Sequence, residues 1–550
     1  MLRERTEHEW KRLLENMGQE KNKCSKIFAL SYKDLPTELK PCFLYFGIFP
    51  EDYDILAFDL INLWAAEGFI RGSDTQEAEE VGNDYLSHLF ARNLIKVTRR
   101  KFDGRIKSIC IHDILHGLCV TEAKEINFFN TPNAATVGNS VTKVRRVTTN
   151  HECISSFNNY GTPELRAMLF FNGEDWGVDN FPRDLRLLRV ISLECQRVAF
   201  PLPSEIGNWS HVTYIQLKVH KVFIELPSTI SNLRNLLTLD VRLCTLLKFP
   251  YFIWRMKQLR HVLLPHPYFM KYYYNIELSS QKQLLNMGKF HHPIEEEETF
   301  ANLRTLFWVR VSDLPASFCK FTNLRKLGIF FTCIKFSKLK EFLDADIVSH
   351  KLEILHLKCG DIDAKNHSKM LDLNLSRYEN LFKLHLNRFK VELSRHNQLP
   401  PNLTKLTLRY TWLKEDPMET LKKLPKLEIL ELGYYSYMGK KLMVCFGEGG
   451  PSDCFPKLQV LEVDGSSGLN EFLVEEATMP KLSKLTMRYC YRLNMKVPDR
   501  IKDIMFHFMN LCDHAVALQL IDCNKEHEFI DILDVLITTY ALGSDSYDFG

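Results

Sequence analysis

The chain has 550 residues, of which 45% are hydrophobic, 12% aromatic and 25% charged, so it is too apolar for a disordered polymer and carries enough material for large cores. Lys and Arg total 71 against 68 Asp and Glu, a net charge of +3, which excludes a general electrostatic attraction to nucleic acid or membrane surfaces. Length alone suggests three to four domains at about 150 residues each.

Taken from the N-terminus, residues 1–24 are charged, helical in pattern and without the apolar segment of a secretory signal. Ser25–Tyr32 predicts a short helix, and Thr37–Phe46 a second with Leu39, Phe43 and Phe46 on one face. Pro41 sits early in it, where proline is tolerated. A third helix, Phe58–Gly68, ends on a glycine at the position that favours a left-handed backbone. A fourth spans Glu77–Asn93. Two β segments follow, Leu94–Thr98 and Ser108–Ile111, joined by a Phe102-Asp-Gly-Arg turn. Helices followed by a two-stranded hairpin predict a winged helix. The third helix holds no Lys or Arg, so it lacks the phosphate contacts of a major-groove reader and should pack against neighbouring subdomains. Arg99-Arg-Lys in the wing reads as a solvated hairpin. Asp113 is expected to N-cap a helix starting at Ile114.

Leucine then changes the character of the chain. Residues 1–150 hold 15 of the 78 leucines, and residues 151–500 hold 57. The template L-x-x-L-x-L, with other apolar residues allowed, starts at Leu188, Val212, Leu236, Leu259, Leu303, Leu324, Leu352, Leu381, Leu403, Leu427, Leu458 and Leu482. The intervals run from 21 to 31 residues except for one of 44 after Leu259, which reads as an insertion near 265–300, aromatic and then acidic. Its Glu295–Glu298 run is expected as an exposed loop or a charge contact to another domain. Such periods mark a solenoid, in which each unit buries its apolar edge only against its neighbours. Leu-Pro opens return segments such as 202–212 and 226–236, and Ile230 and Leu233 should pack beneath the strands.

The strand side of a curved solenoid is concave, and the variable positions of the template face it. His356, Lys358, His385, Asn387, Thr407, Arg409, Glu431, Glu462, Asp464 and Arg488 are the candidate partner-binding residues, basic in the middle and acidic towards Glu462 and Asp464. Any one of them alone reads as solvated surface. Beyond residue 500 the repeat fades, and Leu518, Ile521, Phe529, Leu533 and Leu536 suggest helices that cap the stack.

No catalytic signature and no metal-ligand spacing occurs, and no run of 18 apolar residues could span a bilayer. The 15 cysteines are scattered singly without a C-x-x-C pair, which predicts reduced, mostly buried thiols.

Three stretches together resemble a known family: SYKDLPTELKPCFLYFGIFPEDYDI, LINLWAAEGFI and IHDILHGLCV. They are similar to the end of the nucleotide-binding region in plant NB-ARC leucine-rich-repeat disease-resistance proteins, of the coiled-coil, late-blight-resistance-like branch. Ile111, His112 and Asp113 stand where that family carries a Met-His-Asp switch motif. The resemblance implies an ADP contact for His112, a defence role, and a pathogen effector or guarded host protein as partner. It also implies a cytoplasmic location, with the nucleus or a membrane periphery as alternatives. The phosphate loop G-x-x-x-x-G-K-[S/T] occurs nowhere in the chain, and glycine is sparse at 24 of 550. No cofactor is therefore expected in this chain, although ADP or ATP serves full-length relatives, and no nucleic acid or transmembrane segment is expected.

The expected architecture is α+β followed by an α/β solenoid. Its parts are the tail of a helical subdomain (1–24), a winged-helix switch (25–125), a linker or first degenerate repeat (126–180), leucine-rich repeats (181–500) and a possible cap (501–550). The expected function is that of an immune-receptor fragment that recognises proteins through its repeats and is not an enzyme. Two alternatives stay open: a nucleotide switch whose binding part is missing from this chain, and a generic repeat scaffold or adaptor.

Overall fold

Apolar spacing sets the first helices. The computed structural model describes residues 29–506 apart from the stretches 132–143, 150–163, 174–184, 196–201, 220–222, 247–249, 266–298, 315–319, 332–335, 345–349, 361–373, 394–398, 446–453, 465–467 and 491–492 and positions 74, 102 and 489. Residues 29–33 are helical. Leu39, Cys42 and Phe43 point inward from α1 (Leu39–Leu44), which tightens into a fully buried 3-10 turn over Tyr45–Ile48. A short strand β1 (Ile55–Leu56) leads into α2 (Ala57–Glu67). The latter ends as expected at Gly68, whose φ of +82° lets its amide close on Ala65 O and Trp64 O. Helix α3 (Ala78–Ala91) opens on a reciprocal capping box between Glu77 and Glu80. At the α2–α3 crossing, a Cβ on Gly82 would lie 2.7 Å from Ile61 Cγ2, so only glycine fits there.

Strands β2 (Lys96–Arg100) and β3 (Ile106–Cys110) form the expected antiparallel hairpin. The wing sheet nevertheless has three strands rather than two, because β1 pairs antiparallel with β3, Ile55 opposite Ile109. Two residues are too short a run to show alternation in sequence. Helix α4 (Asp113–Glu125) closes the subdomain, and its N-cap is His112, not Asp113. The His112 ring nitrogen accepts from the Ile114 amide at 3.4 Å, and Asp113 sits in the first turn, where a carboxylate favours the helix dipole.

The residues up to 259 make one compact unit. In it, parallel strands β4 (Arg146–Thr149), β5 (Ala167–Gly173), β6 (Val190–Cys195), β7 (Tyr214–Val219) and β8 (Thr238–Asp240) pair in chain order. The stretch expected as a linker or first degenerate repeat thus contains β4 and β5. Return segments cross back through 3-10 turns such as Ser204–Asn208 and Ser228–Asn232, with Ile230 and Leu233 fully buried. Ala167, Leu169, Phe171, Val190 and Tyr214 share one core with Phe46, Leu60 and Trp64 of the winged helix.

Residues 260–535 make the second unit. Its parallel ladder runs β9 (His261–Leu263), β10 (Thr305–Arg310), β11 (Lys326–Phe331), β12 (Ile354–Cys359), β13 (Lys383–Asn387), β14 (Lys405–Arg409), β15 (Ile429–Leu432), β16 (Val460–Asp464) and β17 (Lys484–Arg488). Each template start is followed by one of the main-ladder strands, and Leu352, Leu355 and Leu357 are wholly buried. Helix α5 (Phe336–Asp344) covers one return segment with Phe336, Leu339, Phe342 and Leu343 inward. Helix α6 (Asp499–Phe506) is tied to the preceding loop by Arg500, which donates to Thr478 O and Met479 O.

Cys445 and Cys454 form a disulfide with Cα atoms 6.2 Å apart, which corrects the expectation of reduced thiols throughout. Their separation of nine residues is not a motif spacing, and folding brings them together. Cys42, Cys110, Cys119, Cys195, Cys244, Cys359 and Cys490 carry no disulfide. The segment 1–24, the acidic run Glu295–Glu298, most of the insertion, and the cap leucines lie outside the described residues.

Candidate functional site

Two constellations gather polar chemistry, one in each unit. The first lies where α2 meets β4–β8. Asp59 in the first turn of α2 is buried and reaches Arg242, which follows β8. The Arg242 guanidinium also holds Asp240 at 2.7 Å. Gln216 Nε2 donates to Asp59 at 3.1 Å and to Asp240 at 2.8 Å, and its carbonyl accepts from Ser192 at 2.9 Å. Burial pushes the Asp59 carboxyl up, but Arg242 and Lys218 outweigh it and hold it below the usual carboxylate range. Arg242 is penalised by the same burial, and its two aspartates raise it above an ordinary arginine.

At the other end of α2, Arg146 binds Glu67 through two bonds of 2.9 Å and donates to Phe128 O at 3.1 Å. Its guanidinium lies over the rings of Phe128 and Phe69, 4.3 and 5.0 Å from the centroids. Thr148 donates to Ile48 O, and Tyr53 donates to Glu194 at 2.9 Å while accepting from Lys218 at 3.1 Å. The junction is thus a set of buried charges, each with a partner, around a shared apolar core. Sequence reasoning missed it. Asp59 and Glu67 are far in the chain from Arg242 and Arg146, and each of these residues looks like solvated surface.

The second constellation is the concave ladder. Register places His356, His385, Thr407, Glu431 and Glu462 side by side on β12 to β16, with Lys358, Asn387 and Arg409 on the next row. Asp464 and Arg488 are paired rungs on β16 and β17. The ten candidates are therefore brought onto one face. They are not all solvated: His356, Lys358 and Thr407 are buried among neighbours. The His356 and His385 rings stack at 5.2 Å, and Phe307 and Trp308 meet His356 edge-on at 5.3 and 6.0 Å. Burial, then His356, Arg409, Lys358 and Lys383, pulls His385 well below the ordinary histidine range, so it stays neutral. Asn387 donates to His385 Nε2 at 3.4 Å.

Glu431 accepts from Lys405 at 2.7 Å and Thr407 at 3.1 Å. Burial raises its carboxyl, but Lys405 and Arg409 overcome that and keep it low. Glu462 pairs with Lys484 at 2.5 Å and lies 3.7 Å from Arg488. Asp464 is shifted upward by burial, against the pull of Arg488 and Arg409. The face grades from basic at β12–β14 to mixed acid and base at β15–β17.

Of the motif Ile111-His112-Asp113, Ile111 is buried in the core while His112 and Asp113 are exposed. His112 offers a single imidazole, and with no phosphate loop in the sequence these residues do not by themselves fit a nucleotide. The better-held histidine is His116, buried, with Nε2 bonded to Phe49 O at 2.9 Å. Among the described residues no group of His, Cys, Asp and Glu is arranged to hold a metal, and no helix is long and apolar enough to cross a membrane.

Comparison with known proteins matches residues 165–529 to the leucine-rich repeat region family and residues 48–119 to the disease resistance protein winged helix domain. The chain is 34% identical over 516 residues to ToMV resistance protein Tm-2(2) of Solanum lycopersicum, covering 91% of this chain and 57% of that protein. It is 30% identical over 560 residues to the probable disease resistance protein RF45 of Arabidopsis thaliana, covering 98% and 51%. The chain therefore spans about half the length of the curated relatives it matches. Among solved structures, PEPR1-AtPEP1 aligns with a TM-score of 0.37 at 17% identity, over 64% of this chain and 44% of that one.

Proposed function

This chain belongs to the plant leucine-rich-repeat disease-resistance proteins, and we propose that it serves defence by binding a protein on the concave face of its repeats. The partner in this reading is a pathogen effector or a host protein that an effector attacks. The observation that carries it is the in-register ladder from His356 to Arg488, a dense row of polar and aromatic side chains on rigid strands. Strands fix the row, so a partner meets a preorganised surface and the ordering cost of binding falls. The buried junction around Arg242 and Arg146 supplies the transmitting element, because it makes the winged helix and the first repeats a single packed body.

The proposed compartment is the cytoplasm, which suits the cysteines that carry no disulfide, with the Cys445–Cys454 bond as the exception. The domain order proposed is a switch subdomain followed by repeats and a terminal cap. The chain does no chemistry of its own in this reading. Isothermal titration with ADP should show no micromolar binding, and such binding would contradict it.

The recognition surface is tested by measuring association of the purified chain with effector proteins from pathogens that infect the source plant. Lys358→Glu with Arg409→Glu should weaken a binding effector by about tenfold or more, as expected when charge complementarity at a close contact is reversed. Equal binding by this variant and the wild type would move the recognition surface elsewhere.

A further inference from the structure

Outside the concave ladder, at the edge of the junction, one charge pattern is little used by the described residues. Arg145, Arg166 and Arg189 occupy the same template position on three successive repeats, just before β4, β5 and β6. The Arg166 amide bonds Arg145 O at 2.7 Å, and the Arg189 amide bonds Arg166 O at 2.7 Å, so the three sit on consecutive rungs. Strand spacing puts such rungs about 4.8 Å apart. Like charges at that separation oppose folding.

The fold does little to neutralise them. Among the described residues the acid that acts on Arg166 is Glu67, and both of its oxygens are taken by Arg146. Among the described residues Arg189 Nη1 reaches the Glu67 backbone carbonyl, at 3.3 Å. Neither Arg145 nor Arg166 makes a side-chain bond to a described residue. Partial burial, then Arg145, Arg189 and Arg146, pulls Arg166 below the usual arginine range, though it remains charged at neutral pH.

We propose that Arg145, Arg166 and Arg189 form a docking ladder for a carboxylate-rich segment of a protein partner. The chemistry is that of planar forks in a row, each able to take a carboxylate through two parallel bonds. An acidic segment laid across the rungs would relieve the repulsion that the folded chain holds there. The ladder is separate from the concave residues proposed for recognition, so the two surfaces succeed or fail independently.

The test uses the full chain and fluorescein-labelled octaglutamate, read by anisotropy at low salt. Arg145→Ala with Arg166→Ala should weaken binding at least tenfold. The control, Lys423→Ala with Lys426→Ala, removes the same charge from another exposed site and should change binding less than twofold. The ladder variant should melt no lower than the wild type, because it loses repulsion and no bond. Four results would overturn the proposal: unchanged affinity in the ladder variant, equal loss in the control, a lowered melting temperature of the ladder variant, or a phosphoserine octapeptide binding more than tenfold tighter than octaglutamate.

Discussion

Arg242 joins two aspartates that would otherwise repel each other in the interior. Replacing it with methionine keeps much of the volume but removes the guanidinium that both Asp59 and Asp240 bind, leaving the more distant charge of Lys218 beside Asp59. The expected loss is about 3–5 kcal/mol, by analogy with broken buried ion pairs, measured by urea denaturation. A loss below about 1 kcal/mol would show that water or another cation reaches the carboxylates. His385 makes a pH prediction. Its folded pKa lies well below its ordinary value of 6.5, so below that pH the unfolded chain binds the extra proton. Stability should therefore fall as pH drops from 6.5 towards the folded value. The slope should approach about 1.4 kcal/mol per pH unit. His385→Gln should flatten the curve between neutral pH and pH 5, and an unchanged slope would assign the proton uptake to another group. Neither effect was visible in the sequence. A buried aspartate on an apolar helix and a histidine in a repeat both read as surface until the fold supplies their neighbours. The same holds for His112, whose role as helix cap depends on backbone geometry that Asp113, one position later, does not adopt.

The elements themselves were largely legible. Alternation within L-x-x-L-x-L, repeated about every 24 residues, marks twelve ladder strands, because inward leucines are the condition for stacking. Leu357→Ala in β12 should cost about 2–5 kcal/mol, and a smaller loss would mean that the stack collapses into the space. Strand β5 follows Leu165-x-x-Met168-x-Phe170, which fits the template and lies in the stretch expected as a linker or first degenerate repeat. Strand β4 follows Val144-x-x-Val147-x-Thr149, where a threonine replaces the last apolar residue and weakens the signal. The winged-helix elements were legible through Gly68 and the Asp-Gly turn, whereas the two-residue β1 was not. At the α2–α3 crossing, Gly82→Val should clash with Ile61 and cost about 1–3 kcal/mol by overpacking, measured as a lowered denaturation midpoint.

For the molecule as a whole, family membership was readable from motif and domain order, and the way its parts join was not. Sequence placed a border between switch and repeats near residue 125. In the structure the winged helix shares one core with β5, β6 and β7, inside a compact unit that runs on to residue 259. The reason is that α2 buries nearly its whole length. Its apolar face is read easily, but the partners of Asp59 and Glu67 lie 183 and 79 residues away. Packed side chains of α2 and β5–β7 therefore couple the winged helix to the first repeats. Native-state hydrogen exchange of the wild type and Arg242→Met tests this most directly. We predict that amides of α2 and of β6–β8 open with a common free energy in the wild type and lose protection together in the variant. Protection of α2 that stays at the wild-type level while β8 loses its own would contradict the account.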